Sequence, residues 1–265
     1  MKKVLLGAVA IAAAAISGSA LAADLPLKAK APPLIYSWTG FYIGGNIGGG
    51  FDGTLTGYSG NAGTAINFAN GQLPTSLAPG NGGIIGGVQA GYDYQVSPIW
   101  LVGVEADIQG SGYKGTASVT PTPNTDVPSV LTTVENHSDY FGTVRGRAGW
   151  LATPQFLIYG TGGFAYAREE GSLSSINSFT TVMGSSTTTK YGYAAGAGFE
   201  IMAVPHWMFR VEYLYLGLGN LSTTGVITAG TGPAGSTLTA TQPIRENVLR
   251  AGLSYKFGGP VVAKY

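Results

Sequence analysis

The chain has 265 residues, a formal net charge of +1, 10% charged residues, 43 glycines, 15 tyrosines and no cysteine. Soluble domains carry about a quarter of their residues as Asp, Glu, Lys and Arg, so this composition leaves too little charge for an ordinary water-facing surface. Without a Lys/Arg cluster there is no field to capture nucleic acid, and without cysteine there is neither a disulfide framework nor a thiolate metal site.

The N-terminus reads as a secretory signal over residues 1–22. Lys2 and Lys3 form the charged start, Val4 to Ile16 the apolar stretch, and Ala20-Leu21-Ala22 a small-x-small cleavage site, so the mature chain is expected to begin at Ala23. The stretch is short and ends in that site, which favours cleavage over a retained membrane helix. Residues 23–37, with Pro26, Lys28, Lys30, Pro32 and Pro33, form a proline-containing linker expected in the periplasm. Beyond it no run is long and apolar enough to span a bilayer as a helix.

From residue 38 to residue 257, eight segments alternate apolar with polar or small residues, the period of a strand with two different faces. They are Trp38 to Phe51, Gly83 to Val96, Ile99 to Ser111, Ser138 to Trp150, Phe156 to Arg168, Lys190 to Ala203, Trp207 to Gly217, and Glu246 to Phe257. Each exceeds the roughly nine to eleven residues that a tilted strand needs to cross hydrocarbon. Three connections are tight and carry proline: Ser97-Pro98, Leu151 to Gln155, and Val204-Pro205-His206. The other four are long and rich in Gly, Ser, Thr and Asn. Such alternation is how an outer-membrane barrel presents long loops outside and short turns to the periplasm. The fold class is therefore all-β: an eight-stranded antiparallel transmembrane β-barrel, with residues 258–265 as a C-terminal extension.

Aromatic residues gather at the segment ends, as interfacial rings do. Trp38, Trp100, Trp150, Trp207, Tyr255 and Phe257, with Tyr92 and Tyr94, define a girdle beside the short turns. Tyr140, Phe164, Tyr166, Tyr191, Tyr193 and Tyr215 define one toward the long loops. Alternation places Trp100, Val102, Val104, Ala106 and Ile108 against lipid. In the fourth segment it sends Tyr140, Val144, Ala148 and Trp150 outward and Asp139, Thr143, Arg145 and Arg147 inward.

The inward charges are Asp93, Glu105, Asp107, Glu200 and Glu212 against Arg145, Arg147, Arg210, Arg250 and Lys256, a balanced set. An eight-stranded barrel is just wide enough for side chains to fill, and charges held there must be paired. A packed ion-pair network is the expectation; the competing reading has the same residues line a narrow pore. Interior glycines such as Gly44, Gly87, Gly91, Gly192, Gly196 and Gly198 either leave room for that pore or let a narrow barrel close.

Six motifs carry a resemblance: Trp38-Thr39-Gly40-Phe41-Tyr42-Ile43-Gly44-Gly45-Asn46, Gly86-Gly87-Val88-Gln89-Ala90-Gly91-Tyr92, Thr143-Val144-Arg145-Gly146-Arg147, Tyr159-Gly160-Thr161-Gly162-Gly163, Val211-Glu212-Tyr213-Leu214-Tyr215, and the tail from Tyr255 to Val262. In this order they resemble the small outer-membrane β-barrels of α-proteobacteria, the outer-membrane immunogenic proteins. The resemblance implies an abundant barrel in the cell outer membrane, akin to the transmembrane part of outer membrane protein A, that supports envelope integrity and is exposed to host recognition. Pore formation and haem binding also occur within the resembled family. Implied partners are outer-membrane lipid and lipopolysaccharide, the barrel-assembly machinery, and host or surface ligands reached through the loops; nucleic acid is not among them. Phe257 is followed by eight more residues, a departure from barrels that end on an aromatic residue.

No catalytic, metal or cofactor site is expected. The two histidines, His137 and His206, fall at opposite ends of the strands. His137 with Ser138 and Asp139 is the one local Ser/His/acid grouping, and adjacency in sequence is not triad geometry. Haem would have to rely on loop tyrosines such as Tyr58 or Tyr113. Three further readings compete with a structural surface barrel: a small porin, an adhesin acting through the segment Gly112 to Asn136, and a soluble periplasmic barrel, which the apolar outer face disfavours.

Overall fold

The computed structural model describes residues 36–178, 180–230 and 235–258. The expected signal peptide, nearly all of the linker, and the C-terminal extension beyond Gly258 lie outside these. Among the described residues the elements are β1 (Gly40–Phe51), β2 (Thr56–Gly60), α1 (Ala62–Ala69), β3 (Ser76–Leu77), β4 (Gly82–Gln95), β5 (Trp100–Val119), β6 (Leu131–Thr153), β7 (Phe156–Ile176), β8 (Thr180–Val204), β9 (Trp207–Gly230) and β10 (Thr237–Lys256).

Eight strands close a ring in the order β1-β4-β5-β6-β7-β8-β9-β10, with β10 returning to β1. The closing seam is antiparallel and runs from Tyr42 opposite Lys256 to Phe51 opposite Asn247. Closure answers the constraint set by hydrocarbon, where an unpaired backbone amide costs several kcal/mol and an open sheet edge cannot stand. Alternation then sorts the side chains. On β5, Trp100, Val102, Val104 and Ile108 are exposed on the outer wall, and Leu101, Glu105, Asp107 and Gln109 are buried in the lumen.

The short connections form the periplasmic end. Between β8 and β9 the chain turns at Pro205-His206, and His206 has φ 74°. Proline presets the first corner of a type II turn, whose second corner needs positive φ. The His206 ring stacks on Tyr255 at 5.6 Å, and its Nδ1 lies 2.9 Å from the Lys256 carbonyl, which tethers the end of β10.

Trp38 departs from the girdle expected of it. Trp100, Trp150, Trp207, Tyr255 and Phe257 do stand exposed on the outer wall, but Trp38 is 0% exposed. It packs with Tyr42, Leu101, Leu151, Leu157, Tyr159, Met202 and Met208. Gly40 has φ +146°, a conformation that side-chain-bearing residues rarely adopt. The preceding chain thereby turns into the barrel, and the indole Nε1 donates to the Pro154 carbonyl at 3.0 Å.

Three of the four long connections are shorter than expected because their strands continue above the outer girdle, while the one between β1 and β4 keeps its length and carries β2, α1 and β3. β5 and β6 remain paired as far as Val119 opposite Thr132, so most of Gly112 to Asn136 is hairpin, not loop. β1 ends opposite Asn247, and above that point β2 takes its place beside β10, from Gly57 opposite Thr241 to Gly60 opposite Leu238. This covers an edge that would otherwise offer free backbone groups.

Above the girdle the polarity of the wall inverts. Val134, Leu173, Val182, Leu238 and Ala240 are buried inside with Leu73 and Val130. Outside, hydroxyls pair between strands: Ser118 with Thr133 at 2.8 Å, Thr224 with Thr239 at 2.9 Å, and Ser222 with Thr241 at 3.2 Å. Such a face suits water, not hydrocarbon.

A bulge at Asp139 is part of this change. Ser138 pairs with Glu169 and Tyr140 with Arg168, leaving one extra residue in β6. Below it the buried side chains of β6 are odd-numbered, Phe141 to Leu151, with Gly142 the one even position also buried; above it they are even-numbered, Thr132, Val134 and Ser138. Strict alternation put Asp139 inside. The bulge turns it outward, 3.2 Å from Arg168 Nε and 3.0 Å from His137 Nε2.

Candidate functional site

The lumen holds the densest chemistry. Asp93, Glu105, Asp107, Arg145, Arg147, Glu200, Arg210, Glu212, Arg250 and Lys256 are all buried. Each occupies an inward position on β4, β5, β6, β8, β9 or β10, since alternate residues of a strand share a face. Arg145 reaches Glu105 at 2.7 Å, Asp107 at 2.9 Å and Glu212 at 3.0 Å. Arg250 reaches Glu212 at 2.6 Å and Asp107 at 3.0 Å. Arg147 and Arg210 grip Glu200 at 2.9 and 2.7 Å.

One contact sets the shape of the lumen. Arg210 Nη1 lies 2.5 Å from Glu105 Oε2, and β9 and β5 are diametrically opposed in the ring. Lys256 stands apart, donating from Nζ to the Thr39 carbonyl at 2.7 Å, and so ties the end of β10 to the chain entering β1. Asp93 is the most loosely held carboxylate, 3.6 Å from Arg147 Nε.

Two tyrosines join the network without having been singled out as interior residues. Tyr42 donates to Glu105 at 2.6 Å and accepts from Arg147 at 2.9 Å. Tyr159 donates to Glu212 at 3.1 Å, and the Arg147 guanidinium lies 4.2 Å from its ring centre. Parity with Gly44 and Gly48 was the available signal for Tyr42. At Gly91 a Cβ would fall 2.4 Å from Tyr42 Oη. The room is taken by the ring.

A second group sits nearer the outer mouth and was not foreseen. Glu169, one residue beyond the fifth expected segment, and Glu246, at the first residue of the eighth, are both buried. They line a small cavity with Asp52, Asn81, Tyr113, Ser138 and Gln242. Glu246 shares parity with Arg250 and Lys256, which was signal enough to place it inside.

The remaining candidates separate. Ser138 is buried in the lumen, whereas His137 turns its Nδ1 to the Tyr113 carbonyl at 2.9 Å and its Nε2 to Asp139 on the outer face. They form no triad. Tyr113 is buried beside Glu246, and Tyr58 packs against the upper core, so neither presents a phenol on an open loop. Among the described residues no group of three or more His, Cys, Asp or Glu is arranged to hold a metal.

A closed ring with an apolar outer wall and a charged lumen limits the comparison to outer-membrane barrels. Residues 8–257 match the family model described as the outer membrane protein beta-barrel domain. The chain belongs to that family. The 31 kDa outer-membrane immunogenic proteins of Brucella melitensis biotype 1 and Brucella suis biovar 1 are each 32% identical over 265 residues, covering 97% of this chain and 100% of theirs. The resemblance to outer-membrane immunogenic proteins thus holds over nearly the full length, and this family member is a protein of the cell outer membrane. Among solved structures, OprG of Pseudomonas aeruginosa is 14% identical, with 86% of this chain and 100% of that one covered and a TM-score of 0.48. Neisserial surface protein A is 14% identical, with 83% and 98% covered and a TM-score of 0.39.

Proposed function

We propose that this outer-membrane barrel is a closed, non-catalytic surface protein whose work is mechanical and recognitional: it reinforces the outer membrane and displays a rigid collar outside it. The observation that carries the reading is the 2.5 Å contact between Arg210 and Glu105 across the full width of the ring. A bridge of paired charges across the lumen supports a closed barrel, since small barrels filled by side chains do not conduct as wide porins do. The apolar wall engages lipid, and the hydroxyl-bearing collar meets the saccharide layer of lipopolysaccharide above it.

The test is conductance. Purified protein in planar bilayers is expected to show no stable single-channel steps. Regular steps in the wild type, altered by Arg145→Ala or Glu212→Ala, would make the chain a small porin and end this reading.

A further inference from the structure

We propose that the outer mouth of the barrel binds one hard divalent cation of the calcium class, held by Glu169 of β7, Glu246 of β10, Tyr113 Oη of β5 and Asn81 Oδ1. This stands apart from the closed-lumen reading, because the residues lie above the arginine network and share no ion pair with it.

Glu169 is 5% exposed and Glu246 2% exposed, and their carboxyls lie within hydrogen-bonding reach of each other. Among the described residues no Lys or Arg pairs with either, whereas the lower carboxylates Glu105, Asp107, Glu200 and Glu212 are each met by arginine at 3.0 Å or less. Two facing carboxylates without a cation are not stable as a buried pair. Asp52, facing them from the segment after β1, adds a third negative group.

Asn81 Oδ1, Tyr113 Oη and one oxygen of each carboxyl, Glu169 Oε1 and Glu246 Oε2, are buried without a donor, the Glu169 carboxyl otherwise meeting only Ser138 and Glu246, and all four residues line the same cavity. Tyr113 itself is 4% exposed, so its phenol is held where water does not compensate it. The cavity is about 10 Å³, the size of a single water or ion. An all-oxygen set carrying two carboxylates selects a hard cation over zinc or copper. Magnesium prefers to keep several waters, for which this cavity has no room. Calcium accepts protein oxygens alone.

Protons compete for the same site. Glu169 and Glu246 stand above the outer aromatic girdle: β7 passes it at Tyr166, and Glu246 lies one position above the Asn247–Tyr215 pair. Burial, then the charge of Glu246, holds Glu169 above the ordinary carboxylate range. Burial, with Asp52, does the same for Glu246. The other polar groups lining the cavity are Tyr113, Asn136, His137, Ser138 and Gln242, and Asp139 acts on Glu169 by its charge from the outer face. Calcium must displace the retained proton, so its affinity should rise with pH.

The experiment uses the full mature chain in a nonionic detergent, with chelator or with millimolar calcium at constant ionic strength. At about pH 8.5, calcium at 100-fold excess over its dissociation constant is expected to raise the unfolding midpoint by roughly 5 °C, with less effect near pH 6. Calorimetry should show one ion per chain. Glu246→Gln and Glu169→Gln should keep the heat-dependent gel shift of a folded barrel and lose both responses. Equal midpoints with and without calcium at the higher pH, or a shift that survives in both variants, would overturn the proposal and leave the pair a protonated dyad.

Discussion

Arg210 and Glu105 lie 105 positions apart in sequence and on opposite walls of the ring, yet their charged groups meet at 2.5 Å. Around this bridge each buried arginine is shared between carboxylates, so losing one partner strands the others. Arg210→Met or Glu105→Gln alone should destabilise the barrel by about 3–5 kcal/mol. Replacing both with apolar residues of similar volume should recover most of that loss. Urea unfolding of single and double variants, followed by the heat-dependent gel shift, measures it as a double-mutant cycle. Additive losses would show that the contact is not coupled.

Gly91→Ala places a methyl 2.4 Å from Tyr42 Oη and 2.5 Å from Cζ. The ring has to shift and its hydrogen bond to Glu105 stretches, for an expected cost of about 1–3 kcal/mol. In a Tyr42→Ala background only the 2.7 Å approach to the Val104 carbonyl remains, so Gly91→Ala should cost no more than half as much there. The urea midpoints decide it.

Trp38 closes the periplasmic end by filling it. Trp38→Ala removes a fully buried indole and leaves a cavity, so a loss of about 3–5 kcal/mol is expected. Because its indole is enclosed and the other three tryptophans face outward, an aqueous quencher should reach new fluorescence only after this seal is broken by mild denaturant. Immediate quenching of the whole tryptophan signal in the native barrel would contradict the enclosure of Trp38.

The Glu169–Glu246 pair sets a pH dependence with a definite sign. Both folded carboxyls lie above their ordinary range, so the folded protein holds protons that the unfolded chain has released. Their contribution is complete below the ordinary carboxylate value and is lost as pH rises toward the raised folded values. Without divalent cations, the unfolding midpoint should therefore fall between about pH 5 and pH 9. Glu246→Gln should flatten that slope and stabilise the alkaline side; an unchanged slope would remove the pair from the account.

The rings at Trp100, Trp150 and Trp207 and the charges at Arg145, Glu105 and Glu212 were legible because a strand crossing hydrocarbon must alternate, and alternation is a local property of the chain. The turns were legible for the same reason, since proline marks them directly. Asp139 was misplaced because a single extra residue in β6 reverses the parity of everything above it, and a bulge leaves no periodic trace. Trp38 looked like an interfacial ring because it stands where the first segment meets the linker. Its direction depends on the turn at Gly40 and on the Pro154 carbonyl, 116 positions away. The strand extensions were hidden because their apolar side chains face inward among abundant Ser and Thr, which reads as loop.

By itself the sequence determined that this chain is an outer-membrane barrel with charge on the inside, since side-chain period, turn chemistry and aromatic position are all written residue by residue. Only the tertiary structure decided which charges meet. Closing the ring brings opposite strands within a side chain's length of each other, so Arg210 finds Glu105 while Glu169 finds another carboxyl and no cation. Pairing across a lumen is a property of closure and shear, and no stretch of one strand encodes it.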